Sequence, residues 1–449
     1  MTVSTQPRQA AAPSELNQPP LASQATKATK ATKTAKAPSL EWQSLPDYEN
    51  VLLLQGPVGP FFQKLANYWH ERGAQVHKIN FNPGDDYFYA PTQAKTVQYR
   101  HRFEFWEAFV QHYLTSEKID AVFLFGDCRP IHQPLRALCA IYHIDLWVLE
   151  EGYYRPNYFT LERNGVNAHS QLQFSLPVEE PTTPNVALDN SNVPSSPAHY
   201  KSYGFMVKWA ISYWFINLVY AFSYPNYDHH RELNLTQALR WTLSLMRYWQ
   251  FRLTERFLKA RIKSKTLLGR KPQDYFLFPL QVHDDPQMTH HSDFPSVESA
   301  IEEVVNSFFL HLQNNPNGQN QVLIIKHHPM NRGHRDYREF IRSLCKSLKI
   351  QKQVVYVHDI KLPLVLPLIK GCVTVNSTLG LQALFYGVPV INLGRSFYAL
   401  EGLTYQGSLD QFWNEPGSVN RAATQSFRAH VIMHTQIAGC LYDPAYQLS

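Results

Sequence analysis

The feature that most restricts the fold of this chain is a repeated alternation. Short apolar runs are each followed by a segment whose apolar residues recur at helical spacing. VLLL (51–54) reads as a buried strand, and after the turn QGPVGP the residues Phe62, Leu65, Ala66 and Trp69 mark one helix face that ends at Gly73. VHKINF (76–81) is a second strand. A helix near 103–114 follows, carrying Phe103, Trp106, Phe109, Val110 and Tyr113, then strand IDAVFLF (119–125), helix 133–143 and strand DLWVLE (145–150). Strands alternating with helices imply a parallel sheet joined by crossovers, hence one Rossmann-like domain over 49–165.

A second series begins at YFLFPLQV (275–282). It continues with helix 297–314, opened by a capping box from Ser299 to Glu302, strand QVLIIK (321–326), helix 336–348, strand VVYV (354–357), a Pro-punctuated helix 362–369, strand CVTV (372–375), helix 379–386 and strand VPVINL (388–393). The expected architecture is α/β and GT-B-like: two Rossmann-like domains facing a cleft, the second over 271–424. A C-terminal helix within 425–449 would return to the first domain. Neither domain carries a GxGxxG dinucleotide fingerprint. In parallel α/β sheets ligands sit beyond the carboxyl ends of the strands, which says where to look.

Composition narrows the function classes. The chain of 449 residues is 44% hydrophobic and carries 42 basic against 36 acidic residues, a net charge of +6 that is too mild for a nucleic-acid binder. Five scattered cysteines (Cys128, Cys139, Cys345, Cys372, Cys440) without a CxxC pair favour buried, reduced thiols. Residues 1–48 are rich in Gln, Ala, Pro, Ser and Thr, include KATKATKTAKA, and lack an apolar secretory core. A disordered tail on a cytoplasmic protein is expected.

Five strand ends carry polar chemistry. In QGPVGPFF, Gly56 and Gly59 let backbone approach a ligand at a helix start, or serve only to pack the turn. EEGYYRP (150–156) places adjacent acids at a strand's carboxyl end, where one carboxylate becomes a general base if its surroundings raise its pKa. HDDPQM (283–288) offers Asp284 and Asp285, one of which could attack an anomeric carbon. In KHHPMNRG, Lys326, His327 and His328 bunch donors where a phosphate leaving group could be held, and Pro329 ends the strand. Consecutive side chains on a strand project oppositely, so one imidazole faces the cleft, and His328 is the choice. The neighbouring histidines lack HxH or HExxH spacing, so no metal site is expected. In NSTLGLQALFYG (376–387), Asn376, Ser377 and Thr378 sit where a helix begins, able to clasp a phosphate or merely to cap the helix.

Glu-Glu-Gly, then His-Pro, then a Ser-Thr helix start, in that order, resembles the bacterial CMP-sugar transferases of the GT-B class. LQGPVGPFF, INFNPGDDYFY (79–89), FGDCRP (125–130), EEGYYRPNYFTLE (150–162), PLQVHDDPQM, KHHPMNRG, VNSTLGLQALFYGVPV and GLTYQGSLDQFW (402–413) together resemble the KpsS-type capsule polysaccharide biosynthesis and export proteins over residues 50–425. The resemblance implies a retaining, metal-independent β-Kdo transferase. It would use CMP-Kdo as donor and lysophosphatidylglycerol as acceptor, without a cofactor, in a capsule biosynthesis and export complex that includes a KpsC-type Kdo transferase. The first domain would take the acceptor and the second the CMP-sugar. Carried over by motif, Asp285 (or Asp284) is the residue that forms a Kdo-aspartyl adduct, Glu151 is the acid before glycine, His328 belongs to the His-Pro pair, and Ser377 and Thr378 hold phosphate. Pro286 departs from the small polar residue expected after the acids, and it restricts Asp285 to extended backbone. Hydroxyls, helix-terminal amides and a near-neutral imidazole suit an anionic leaving group, with Arg155, Lys326 and Arg332 as further partners.

Between the domains, residues 166–270 open with a Pro/Ser/Asn-rich loop (176–198) and continue with FMVKWAISYWFINLVYAFSYP (205–225). Its uncharged run from Trp209 to Tyr224 is 16 residues, short of the roughly 20 needed to span a bilayer. A helix near 235–265 follows, with Leu239, Leu243, Met246, Leu253 and Phe257 on one side and Arg240, Arg247, Arg252, Arg256, Lys259, Arg261, Lys263 and Lys265 elsewhere. Both helices suit an anionic inner-membrane surface on its cytoplasmic face. The bland alternative is an ordinary subdomain with a solvated basic face. Two rival functions are a non-catalytic export scaffold, indifferent to loss of the acids, and a GT-B-like nucleotide-sugar epimerase, which would need no lipid surface.

Overall fold

A computed structural model describes residues 39–89, 94–175, 197–227, 235–256, 275–283, 288, 292–358 and 360–448. The described residues form one compact unit built on two sheets. In the N-terminal half the strands are β1 (Asn50–Leu53), β2 (Gln75–Asn80), β3 (Lys95–Gln98), β4 (Ala121–Phe125), β5 (Asp145–Glu151) and β6 (Tyr158–Arg163). The C-terminal half contributes β7 (Tyr275–Pro279), β8 (Val322–Lys326), β9 (Val354–Val357), β10 (Ile369–Thr374) and β11 (Val390–Asn392). A last short strand, β12 (Gln436–Ala438), returns to the N-terminal sheet.

The spatial orders are β12-β6-β5-β4-β1-β2-β3 and β11-β10-β7-β8-β9. Within each, five parallel strands follow the doubly wound order 3-2-1-4-5, which reverses beside the first strand of each half. The architecture is therefore α/β and GT-B-like, with two Rossmann-type sheets in sequence. The first strand of each half is apolar and buried: Val51–Leu54 and Phe276 are 0% exposed, and Tyr275–Phe278 do not exceed 1%.

The helices are α1 (Phe61–Glu71), α2 (Pro83–Phe88), α3 (Trp106–Ser116), α4 (Gln133–Tyr142), α5 (Pro197–Val219), α6 (Leu235–Thr254), α7 (Val297–Asn314), α8 (Arg338–Ser347), α9 (Leu362–Val365), α10 (Leu379–Phe385), α11 (Leu409–Asn414) and α12 (Arg421–Thr435). The capping box at α7 is corrected by one turn. Ser296, not Ser299, is the cap: its Oγ accepts from Ser299 N at 3.1 Å, while Ser299 Oγ accepts from Ser296 N at 3.2 Å. Hydroxyls at both positions make the reciprocal pair without Glu302.

The last helix begins at Arg421 and hands the chain back across the molecule. Strand β12 pairs antiparallel with β6, and Tyr446 then stacks against Phe61 at 6.1 Å and accepts from Trp42 Nε1 at 3.0 Å. The two halves touch where Tyr153 stacks on Phe397 at 4.4 Å and Phe174 meets Phe427 edge-on at 5.0 Å. These contacts place the carboxyl end of β5 beside the C-terminal half.

Candidate active site

The loops after β1, β2, β4 and β5 supply the N-terminal side of the site. Gln55, 2% exposed, follows β1. Its carbonyl oxygen accepts from Arg129 Nη1 at 2.8 Å, and its amide donates to Tyr227 OH at 3.1 Å and to the Asp85 carboxylate at 3.3 Å. Asp85 also accepts from Phe81 N, Asn82 Nδ2 and Tyr213 OH at 3.1, 3.2 and 3.1 Å, and burial raises its pKa. With that many donors already in place, Asp85 ties α2 and α5 to the sheet.

Glu150 and Arg129 flank Gly126, whose φ is +71°. A Cβ built there would lie 3.4 Å from Glu150 Oε2 and 3.8 Å from Arg129 Nε. Glu150 Oε1 accepts from Glu151 N at 2.9 Å. Burial pushes the Glu150 carboxyl up to about 7, and the adjacent Glu151 charge adds to the shift. Glu150 is thus poised to exchange a proton near neutral pH. Glu151 turns the other way, bonded by Tyr442 and 4.0 Å from Arg155 Nη1.

Burial, and after it the charges of Lys326, Arg155 and Arg332, lower the His328 pKa to about 4. The backbone N–H of Met330 donates to His328 Nδ1 at 3.2 Å, so the neutral ring carries its proton on Nε2 as a donor. His327 is 1% exposed, within 2.6 Å of Tyr356 OH, and faces the core.

On the C-terminal side the hub is Gln281, which follows β7. Its amide donates to Asn376 Oδ1 at 2.7 Å, and its backbone carbonyl accepts from Asn331 Nδ2 at 3.1 Å. Asn331, fully buried, also meets the His283 ring at 2.9 Å. The loops after β7, β8 and β10 are thus joined by neutral amides, with Lys326 buried beneath them and Pro329 opening the turn to Asn331. The side-chain oxygen of Gln281 is buried without a hydrogen-bond partner.

Ser377 Oγ accepts from Leu379 N at 3.2 Å, a local cap that leaves its O–H free to point elsewhere. Thr378 is partly exposed beside it. The glycine–proline turn has a plainer explanation than ligand approach. Side chains at Gly56 and Gly59 would strike the Phe62 ring at 2.6 Å and the Trp209 ring at 2.4 Å, so packing alone requires both glycines. Asp284, Asp285 and Pro286 lie outside the described residues.

Among the described residues, Asp127, Cys128 and His169 bring three donor atoms within 4.8 Å of one another. Asp127 Oδ2 is already held by Arg136 at 2.8 Å and His169 at 2.9 Å, and burial raises the Cys128 pKa, which disfavours a thiolate ligand. This cluster ties the end of β4 to the segment after β6.

The sequence reading offered the Glu150–Glu151 pair but carried a role onto Glu151 alone, and it passed over Arg129, Asn331 and the two glutamines. A signal for the glutamines was present: Leu-Gln follows the first strand of each half, at 54–55 and again at 280–281.

The sequence matches the family described as capsule polysaccharide biosynthesis protein over residues 120–442. It is 39% identical over 402 residues to the capsule polysaccharide modification protein LipB of Neisseria meningitidis serogroup A, covering 89% of this chain and 93% of that one. It is 33% identical over 399 residues to the capsule polysaccharide export protein KpsS of Escherichia coli, covering 88% and 97%. Among solved structures, the beta Kdo 2,7 transferase KpsC of Thermosulfurimonas dismutans aligns over 85% of this chain and 99% of its own, with a TM-score of 0.36 and 12% identity.

Proposed function

The chain belongs to the capsule polysaccharide biosynthesis protein family, and from that premise we propose that it is a retaining glycosyltransferase. It would move Kdo from CMP-Kdo to a lysophosphatidylglycerol acceptor and so begin the β-Kdo linker that a KpsC-type transferase extends. The observation that carries this reading is the stacking of Tyr153 on Phe397 at 4.4 Å, which sets the acids at the end of β5 beside the loops of the C-terminal half.

The division of chemistry supports it. Breaking the bond between Kdo and CMP leaves a phosphate and an oxocarbenium-like centre. The C-terminal side offers the donors for that phosphate: His328 Nε2–H, the Ser377 and Thr378 hydroxyls, the Asn376 amide and Lys326. These would hold it with no resident metal. Asp285 or Asp284 would attack the anomeric carbon as CMP leaves. The acceptor hydroxyl would then displace the aspartate, with its proton passing to a carboxylate at the end of β5. Arg155 suits the sugar carboxylate, being a cation between the halves.

The insertion supports a lipid acceptor. Helix α5 turns Trp209, Tyr213 and Asn217 onto the N-terminal half, with Asn217 Oδ1 accepting from Gly84 N at 3.1 Å. Its opposite side leaves Ile211 62%, Phe215 58% and, just beyond the helix, Phe222 78% exposed. Helix α6 likewise leaves Leu239, Met246 and Leu253 at least 63% exposed while Arg247 faces the protein. A surface helix ordinarily does the reverse. Exposed Lys208, Arg252 and Arg256 stand beside these apolar faces, a pairing that suits an anionic bilayer. Among the described residues no helix is long and apolar enough to cross a membrane. Phe257 and the lysines at 259, 263 and 265 lie outside the described residues.

Purified protein incubated with CMP-Kdo and a fluorescent lysophosphatidylglycerol should yield a product heavier by one Kdo. Absence of that product, where a control transferase works, overturns the reading. A glycolipid scaffold would retain its function after Glu151→Gln, and an epimerase would act on a UDP-sugar without lipid.

A further inference from the structure

The inward stripe of α6 grips the loop that carries His328. Arg240, Ser244, Arg247, Tyr248, Phe251 and Glu255 recur every three or four residues, and each meets the C-terminal half. A Cβ at Gly333 would lie 2.0 Å from the Arg240 carbonyl oxygen and 3.1 Å from Ser244 Cβ, so the helix rests directly on the loop. Arg247 Nη1 donates to the Arg332 carbonyl at 2.6 Å, and its other nitrogen lies 4.0 Å from Asp336. Arg332 in turn sits 5.2 Å over the Tyr248 ring.

At the far end, Phe251 stacks on His358 at 3.7 Å. Glu255 Oε1 accepts from the His358 backbone at 2.8 Å and from its ring at 3.1 Å. The gripped segments are the loops after β8 and β9. The first continues directly from the turn in which Met330 orients the His328 ring and Asn331 ties down Gln281 and His283.

We propose that α6 is a strut that couples occupancy of a lipid surface to the arrangement of the donor-side loop, with Arg247 and Glu255 as positioning residues. The inference rests on the lipid-surface reading above. An anionic bilayer covering the outward face of α6 removes the cost of exposing Leu239, Leu245, Met246, Trp249 and Leu253, and so holds the helix in place. Its inward stripe then fixes residues 327–338. In free solution the helix is held by its inward stripe alone, and each local opening of that stripe takes the outer support from the loop.

Hydrogen exchange on the full-length protein, with and without vesicles of phosphatidylglycerol and phosphatidylcholine, tests the coupling without requiring turnover. Peptides covering 327–338 should exchange about fivefold more slowly or better with the anionic vesicles, the lower end of coupling between linked sites. Arg247→Ala should still float with the vesicles yet lose that protection. In the transfer assay it should raise the KM for the donor more than it lowers kcat, with partial rescue by Arg247→Lys. If Arg247→Ala does not fold, Glu255→Ala reads the same coupling from the helix's other end. Vesicle binding with unchanged exchange at 327–338 overturns the strut while leaving the lipid reading intact. Failure to bind vesicles removes both, and protection retained in both variants removes the positioning role.

Discussion

The two halves share a strand order and a Leu-Gln step after their first strands, yet they furnish the cleft with opposite chemistry. Around Gln55 the N-terminal half gathers ionisable groups: Arg129, Glu150 and the buried Asp85. Around Gln281 the C-terminal half gathers the Asn331 and Asn376 amides and an imidazole held uncharged by burial and by the cations Lys326 and Arg332. One framework thus gives a side suited to moving a proton and a side suited to gripping an anion without trapping it. Charged groups respond to pH and amides do not, so the comparison can be broken by experiment.

The largest effect is expected where backbone geometry aims the acids. A Cβ at Gly152 would lie 1.9 Å from the Tyr158 carbonyl oxygen. Gly152→Ala should cost about 3 kcal/mol or more in a denaturant melt, because the obstacle is backbone and cannot rotate away.

Next come the acids. Glu151→Gln and Glu150→Gln should each slow transfer by about 10²- to 10⁴-fold while the protein still melts cooperatively. Glu150 also predicts a pH limb. If it is the base, the wild-type rate rises as pH passes about 7 and Glu150→Gln abolishes that rise. Stability should run the other way. The folded-state pKa is raised, so the favourable contribution of the protonated group is present below the unfolded value and is lost as pH climbs through about 7. The wild-type melting temperature should therefore drop between pH 5 and 8 relative to Glu150→Gln.

On the other side of the cleft, His328→Ala should weaken donor binding about tenfold or more, as expected for a lost hydrogen bond to a charged group. Its pKa of about 4 leaves it neutral, so it should add no limb to the rate profile between pH 5 and 8. A limb in that range that disappears with His328 would erase the contrast between the halves. The smallest effect belongs to the amide hub. Asn376→Ala leaves the Gln281 amide buried without its acceptor and should cost about 1–3 kcal/mol in stability, with donor affinity falling only modestly.

Much of this arrangement was legible residue by residue. The apolar runs at 51–54, 121–125, 322–326 and 354–357 are strands, and the turning of one of the two consecutive imidazoles, His327, into the core follows from the alternation of neighbouring side chains. The strands that escaped notice are β3, β6 and β12: KTVQ and QIA are short, and YFTLER mixes apolar and charged residues. Their pairing comes from neighbours already in place rather than from their own pattern. For the insertion, the sequence left two readings, a membrane surface or a packed subdomain. Periodicity reveals that α6 has two faces but cannot tell which one meets the protein, and the apolar face points outward. The same blindness hid Arg247, a strut within what reads as a solvated basic face.

Sequence alone determined the two α/β series, the strand ends that bear polar side chains, and the family, because burial of a strand and the turn after it are written in local composition. Only the tertiary structure decided which of the paired residues meet. The end of β5 lies beside the C-terminal half because Tyr153 docks on Phe397, and the Glu150 pKa rises to about 7 because the fold buries its carboxyl. Such effects depend on distances between segments far apart in the chain, and hydrophobic periodicity carries no measure of those distances.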